Sequence, residues 1–322
     1  APAFAQDAAQ IHIKAARMID VLTGKVVEHP LITVQGGRIV GIADSSAVKL
    51  SSDAKVIDLG DKTLLPGLID MHVHLDGLAE VGGYNGLQYT DSFWSMVAVK
   101  NARDMLNAGF TTVRNVGSAD RNDIGLKEAI NEGYAVGPRI VPAGYAIGAT
   151  GGHCDSTFLP PSLEKPVEGV ADGEEALRYQ VRRQRKYGAE VIKVCATGGV
   201  FSRNTEPGQQ QLSESELRAI ADEATRAGVK SLVHVSALGA ERMTDTKYGS
   251  TKNTGEQVVR AGFPGATILR PSLIVGPEDG FFQRFARMSM VAPLLPLIGG
   301  GSTKFQPILV TDVAAAILAA IE

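Results

Sequence analysis

The chain has 322 residues, enough for one large α/β domain or two smaller ones. A hydrophobic content of 44% and a charged content of 21% are those of an ordinary globular protein. The net charge of −3 argues against non-specific nucleic-acid binding, which needs a basic face, and no stretch is long and apolar enough to span a bilayer.

In chain order, residues 1–7 come first as Ala1-Pro2-Ala3-Phe4-Ala5-Gln6-Asp7. They read as the remnant of a secretory signal peptide, because Ala3-Phe4-Ala5 fits the small-x-small cleavage rule. That reading predicts a periplasmic or secreted protein; the alternative is a disordered Ala-rich leader. Residues 8–65 alternate apolar and polar positions, as in Leu31-Ile32-Thr33-Val34 and Arg38-Ile39-Val40-Gly41-Ile42. They predict a small β unit with a hairpin turn at Gln35-Gly36-Gly37.

Residues 66–230 predict strands at 67–72, 110–116, 138–144 and 190–196. Helices are predicted at 91–108, 123–132, 172–187 and 213–227. The last opens on Ser213-Glu214-Ser215-Glu216, a capping box. Repeated β-α units imply a barrel or a doubly wound sheet. Residues 231–322 predict strands at 230–236, 266–273 and 305–310, a helix at 246–262, and a short helix after Thr311-Asp312. Cys154 and Cys195 make no disulfide framework and read as buried or near-site thiols.

Two features carry chemistry in the first half. His72 and His74 sit two apart at the end of an apolar strand, so both point to one face. Neutral imidazoles there can share one divalent metal, and the C-terminal end of a barrel strand is where such folds carry catalysis. Lys193 interrupts the apolar run Val191-Ile192-Lys193-Val194-Cys195. It is either a lysine reaching solvent from a strand end or a modified residue, since a buried lysine is costly unless paired.

Residues 8–230 resemble the amidohydrolase superfamily, near its imidazolonepropionase-like and prolidase-like dipeptidase branch. The likeness rests on Leu65-Pro66-Gly67-Leu68-Ile69-Asp70-Met71-His72-Val73-His74, Gly109-Phe110-Thr111-Thr112-Val113-Arg114, Thr150-Gly151-Gly152-His153, and Ile192-Lys193 followed by Ala196-Thr197-Gly198-Gly199-Val200. The resemblance implies a (β/α)8 barrel with a β-sandwich built partly from N-terminal strands. It implies one or two divalent metals, commonly zinc, on His72 and His74, with Lys193 as a carbamylated bridge. It implies that His153 contacts substrate, and that metal-activated hydroxide attacks an amide carbonyl. His234 stands where the strand-five ligand should be. No histidine follows it, so the strand-six ligand is missing, and Asp245, Asp279 and Asp312 match no motif for the strand-eight aspartate.

Residues 228–322 resemble an atypical short-chain dehydrogenase of the kind related to a mitochondrial complex I accessory subunit. The carrying residues are Gly228-Val229-Lys230-Ser231-Leu232-Val233-His234-Val235-Ser236, Lys247-Tyr248-Gly249-Ser250-Thr251-Lys252, and Ile268-Leu269-Arg270-Pro271-Ser272. In that likeness Ser236 orients substrate, Tyr248 is the acid/base, and Lys252 lowers its pKa and binds nicotinamide ribose. His234 is then only a strand residue. Such a fold needs a Gly-rich turn between its first strand and helix. Gly148-Ala149-Thr150-Gly151 resembles one superficially, but the third glycine position is Cys154.

The expected fold is therefore α/β: a partial (β/α)8 barrel with a small N-terminal β-sandwich, continued by a Rossmann-like β-α segment. The chain reads as a mosaic joined near Ala227-Gly228-Val229-Lys230. The primary reading is a zinc-type metal-dependent hydrolase of amide or peptide-like bonds, with His72, His74, Lys193 and His234 as metal ligands and Lys193 and His153 in catalysis. Its partner is a small-molecule or dipeptide-like substrate, including ones with a free carboxylate, and a homo-oligomer is allowed. The alternatives are an NAD(P)-dependent oxidoreductase or epimerase and a catalytically inactive mosaic.

Overall fold

The computed structural model describes residues 9–78, 81, 83–199, 202–206, 209–228, 233–235, 241–242, 245–262, 267–270, 274–275 and 308–309. These divide into two compact units that part between Gly67 and Leu68.

The first unit holds seven strands: β1 (Ile11–Lys14), β2 (Arg17–Asp20), β3 (Lys25–Glu28), β4 (Pro30–Gln35), β5 (Arg38–Asp44), β6 (Lys55–Asp58) and β7 (Thr63–Leu64). They form a four-stranded sheet in the order β5-β4-β1-β6 and a three-stranded sheet in the order β3-β2-β7. The predicted hairpin is present, with β4 antiparallel to β5 and Gln35 opposite Arg38. The two residues between them, Gly36 and Gly37, take φ of 57° and 75°. Side chains tolerate that left-handed pair poorly, which is why the turn is Gly-Gly.

The second unit begins with β8 (Leu68–Val73), α1 (Asp91–Asn107), β9 (Phe110–Asn115), α2 (Asn122–Asn131) and β10 (Arg139–Pro142). The strands form a parallel sheet in the order β10-β9-β8. Parallel strands need crossover connections of about a dozen residues or more, which α1 and α2 supply here. Ala98 and Ala102 of α1, Val113 of β9, Leu126 of α2 and Ile140 of β10 share one buried cluster with Leu75. Next come α3 (Glu174–Lys186) and α4 (Glu214–Arg226), with the predicted capping box in place. Ser213 Oγ accepts from Glu216 N at 3.3 Å, and Ser213 N donates to Glu216 Oε2 at 2.8 Å. Leu177 and Val181 of α3 pack with Ile220 and Ala224 of α4 around Ile147 and Leu212. Arg182 of α3 donates to both carboxylate oxygens of the buried Glu223 at 2.8 and 3.0 Å.

The later elements are β11 (Val233–Val235), α5 (Lys247–Gly262), β12 (Thr267–Leu269), β13 (Ile274–Val275) and β14 (Ile308–Leu309). β11 pairs parallel with β12, and β13 with β14. The helix predicted after Thr311 lies outside the described residues.

Three expectations need correction. Among the described residues the strands of the second unit do not close a barrel. The strand expected at 190–196 is only an isolated parallel bridge, Ile147 to Val194. Its neighbour cannot extend the ladder, because Ile147 faces Val194 while the next residue, Gly148, bridges to Val170. The strand expected to reach 144 stops at Pro142, two residues before Gly144 with its φ of 64°.

Candidate active site

The end of β8 sets two histidines at the carboxyl edge of the parallel sheet. Met71 is buried and Val73 packs against the sheet–helix core. Alternation along the strand sends His72 and His74 the other way. Their ring centroids are 5.6 Å apart with planes at 66°.

His74 is oriented from behind. Its Nδ1 lies 3.0 Å from the carbonyl oxygen of Gly117. A carbonyl only accepts, so Nδ1 carries a proton, and in the neutral ring the lone pair is then on Nε2. Gly117 has φ of 141°, and a Cβ there would meet His74 Cε1 at 3.3 Å. The same carbonyl accepts from Asn115 Nδ2 at 3.1 Å. Asn115 is fully buried; its Oδ1 takes the Leu75 N–H at 2.8 Å and its Nδ2 also reaches Asp123 Oδ2 at 3.3 Å. Asp123 in turn accepts from the backbone N–H groups of Ala143 and Gly144 at 3.0 and 3.1 Å. Burial pushes the Asp123 carboxyl above the usual range against those hydrogen bonds. One polar network thus ties the ends of β8, β9 and β10 to the ring of His74.

His153 approaches from the segment after β10. Its backbone N–H donates to Gln211 Oε1 at 2.8 Å, and its Nδ1 is 2.9 Å from Ser202 Oγ. Gly199 lies flat against this ring, with no room for a Cβ. Cys154 and Cys195 are joined in a disulfide with Cα atoms 5.9 Å apart, which corrects the reading of both as thiols. The reason is spatial: Cys154 follows His153, Cys195 lies two residues after Lys193, and the Ile147–Val194 bridge brings the two segments side by side.

Lys193 lines a cavity of about 500 Å³ together with His72, Arg114 of β9 and Lys252 of α5. Arg114 is fixed by its Nε donating to Met71 O at 2.7 Å. Burial, then repulsion from Arg114 and Lys252, holds Lys193 below the usual lysine range. His72 keeps solvent access, yet burial followed by Lys193, His74 and Arg114 pushes it down to about 4. His153 is lowered by burial, then by Lys193 and His74. Lys193 and His153, both distant in sequence from the His72–His74 pair, lie within electrostatic reach of it.

Two features of the histidine pair are those of metal-binding histidines. A ligating histidine is normally held by a carbonyl on its other nitrogen, as His74 is, and the neutral form that binds metal is the one favoured for His72. Among the described residues no group of three His, Cys, Asp or Glu side chains stands together. The side chains of His234 and Tyr248, and the whole of Ser236, Asp279 and Asp312, lie outside the described residues. The Gly148–Gly151 run opens no helix and so offers no phosphate cradle; the next helical turn described is Pro161–Leu163. Sequence reading missed the cavity roles of Arg114 and Lys252. A cation within the strand Phe110–Asn115, at its second-to-last position and directly after the buried Val113, was the available signal for the first.

Comparison with known proteins agrees with this geometry. Ochratoxinase from Aspergillus niger is 34% identical over 219 residues, which is 55% of this chain and 44% of that protein. The chain therefore spans less than half the length of this relative. The mitochondrial NADH dehydrogenase [ubiquinone] 1 alpha subcomplex subunit 9 of Arabidopsis thaliana is 39% identical over 107 residues, 33% of this chain and 26% of that protein. A solved prolidase complexed with N-methylphosphonate-L-proline superposes with a TM-score of 0.61 at 27% identity, covering 88% of this chain and 83% of that one. The amidohydrolase family profile matches residues 63–279, about two thirds of the sequence and all of the histidine–lysine site, and this chain belongs to that family.

Proposed function

We propose that this protein hydrolyses amide or peptide-like bonds in small-molecule or dipeptide-like substrates, including ones with a free carboxylate. The observation that carries the reading is the His72–His74 pair, with His74 held by the Gly117 carbonyl and Lys193 in the adjoining cavity. His72 and His74 would hold one divalent ion, zinc in the first instance, with Lys193 as a carbamate bridging to a second and His234 as a further ligand. A bound ion supplies Lewis-acid activation of water and of the scissile carbonyl. The chain's own part is to keep His72 neutral, to aim His74 through the Gly117 carbonyl, and to hold His153 beside them as a substrate contact. Hydrolysis breaks the C–N bond, adds hydroxyl to the acyl carbon and leaves a proton on the amine. The amidohydrolase membership and the ochratoxinase and prolidase relatives support this class. An exported location belongs to the same reading, supported by the Cys154–Cys195 bond, because disulfides persist in oxidising compartments. The two N-terminal sheets are read as part of the family's β-sandwich.

The test is elemental analysis of protein purified with zinc and bicarbonate, followed by hydrolysis of N-acyl amino acids and dipeptides. Near-stoichiometric metal and turnover, both lost in His72→Ala, are expected. A folded, metal-free protein that hydrolyses nothing would sink the proposal. A second reading is carried by the match to the NADH dehydrogenase subunit over a third of the chain. Under it the chain is a mosaic whose C-terminal segment is short-chain-dehydrogenase-like. Loss of a reductase or epimerase turnover in Tyr248→Phe would favour that reading, and no activity of either kind would mark an inactive mosaic.

A further inference from the structure

The cavity beside His72 holds two cations, Arg114 and Lys252, that metal binding does not use. Three cations line it: Arg114 from β9, Lys193, and Lys252 from α5. Among the described residues no carboxylate lines it. Most of the remaining wall is aliphatic, with Leu217 and Ile220 from α4 and Val258 and Val259 from α5. A cleft lined by one sign of charge with low-dielectric walls concentrates the opposite ion. The anchored guanidinium of Arg114 offers the planar donor fork that suits a carboxylate. The aliphatic wall selects against a small hydrated anion and for one with a hydrocarbon body. The volume falls in the range of about 300–1,000 Å³ typical of small-ligand sites.

We propose that this cavity binds the carboxylate end of an aliphatic acid or acyl-amino-acid-like molecule, with Arg114 and Lys252 on the carboxylate and the α4–α5 wall on the hydrocarbon. Carbamylation of Lys193 would turn its positive charge into a negative one, and Arg114 and Lys252 would still leave the lining cationic by one charge. Lys252 thereby becomes a specificity residue for a substrate acid, in place of the nicotinamide-ribose role its sequence neighbourhood suggests. The inference deepens the hydrolase reading, and rests on it only in taking the bound acid as substrate or product.

The experiment is calorimetric titration of the full chain with sodium hexanoate, set against 1-hexanol, hexylamine, acetate and inorganic phosphate. Hexanoate should bind and the other four much more weakly. Lys252→Gln should weaken hexanoate about tenfold or more, as loss of a charge-assisted hydrogen bond does, and Lys252→Arg should retain it. Equal binding of hexylamine or hexanol overturns the charge assignment, and equal binding of acetate or phosphate overturns the hydrocarbon assignment. Unchanged hexanoate affinity in a Lys252→Gln protein with wild-type circular dichroism overturns the role of Lys252; should that variant not fold, the five-ligand series on the wild type still decides. Metal content and hydrolysis are measured on the same preparation. Hexanoate binding without metal or turnover sinks the hydrolase reading and leaves the cavity assignment standing. Turnover of acyl amino acids with a KM unmoved by Lys252→Gln does the reverse.

Discussion

Replacing Cys154 and Cys195 together by serine opens a loop with a sequence separation of 41. In the chain-entropy treatment, closing a loop of that length stabilises the fold by about 4 kcal/mol at 25 °C. Measured values are usually smaller, so about 2–4 kcal/mol is the expected loss. The non-covalent ties across the same place are few. Ile147 N donates to Lys193 O and Cys195 N to Ile147 O, each at 2.8 Å, and His153 is held by Gln211 and Ser202. Each is worth about 1 kcal/mol net, so none alone matches the covalent link. The assay is urea unfolding of the oxidised wild type, the reduced wild type and the double variant, followed by circular dichroism. With an m-value of about 2 kcal/mol/M, the midpoint of the transition that includes Lys193 should fall by about 1–2 M urea. Reduced wild type and double variant should coincide. Two titratable thiols in the native, unreduced protein would refute the pairing itself. An unchanged midpoint in the double variant would refute the loop-closure argument.

Asn115→Ala should lower stability by about 2–4 kcal/mol, because it leaves the Leu75 N–H and part of Asp123 buried without their partner; thermal melting checks this, and metal affinity should fall with it. Gly199→Ala should cut kcat more than it lowers the melting temperature, because a Cβ there displaces the His153 ring and little else. His72 has its folded pKa pushed from 6.5 down to about 4, so in the metal-free protein the unfolded chain binds more protons between those values. Stability should therefore rise as pH goes up through that window and be lost as it falls, and His72→Gln should flatten the slope in pH-dependent urea midpoints. Ser213→Ala should cost about 1 kcal/mol by removing the cap of α4, measured by the same unfolding series.

How much of the fold and the site was legible in sequence depends on how local the signal was. The β4–β5 hairpin, the α4 cap and helices α1 to α5 came from turn glycines, a capping box and apolar periodicity, all of which act within a few residues. The strand expected at 190–196 did not form, because a strand also needs a partner edge. Ile147 and Gly148 spend their edges on two different neighbours, and nothing in Val191–Cys195 itself could reveal that. The disulfide was hidden for the same reason: its geometry depends on a bridge between segments some forty residues apart in sequence. His72 and His74 were legible because strand alternation alone sets them on one face. The carbonyl behind His74 was not, because Gly117 reaches it only after the turn beyond β9.

The support of that histidine pair bears on the mosaic reading. Asp123, Asn115, Gly117 and the N–H groups of Ala143 and Gly144 all lie between residues 115 and 144. His153 is held by Ser202 and Gln211, and Lys193 by its backbone link to Ile147. Every described hydrogen bond that orients these side chains is therefore made before the junction expected near residue 227. Residues beyond the junction supply the far wall of the cavity, with Lys252, Val258 and Val259 on α5. A join at that point would leave the aim of His72 and His74 intact while exchanging the surface that meets the substrate. Metal affinity should then depend on residues before 227 and acid selectivity on residues after it. The two are separable by comparing Asn115→Ala with Lys252→Gln: the first should move metal binding and the second only the choice of acid. If Lys252→Gln lowered metal affinity as much as Asn115→Ala, the two halves of the site would be one cooperative unit, with no division of labour at the junction.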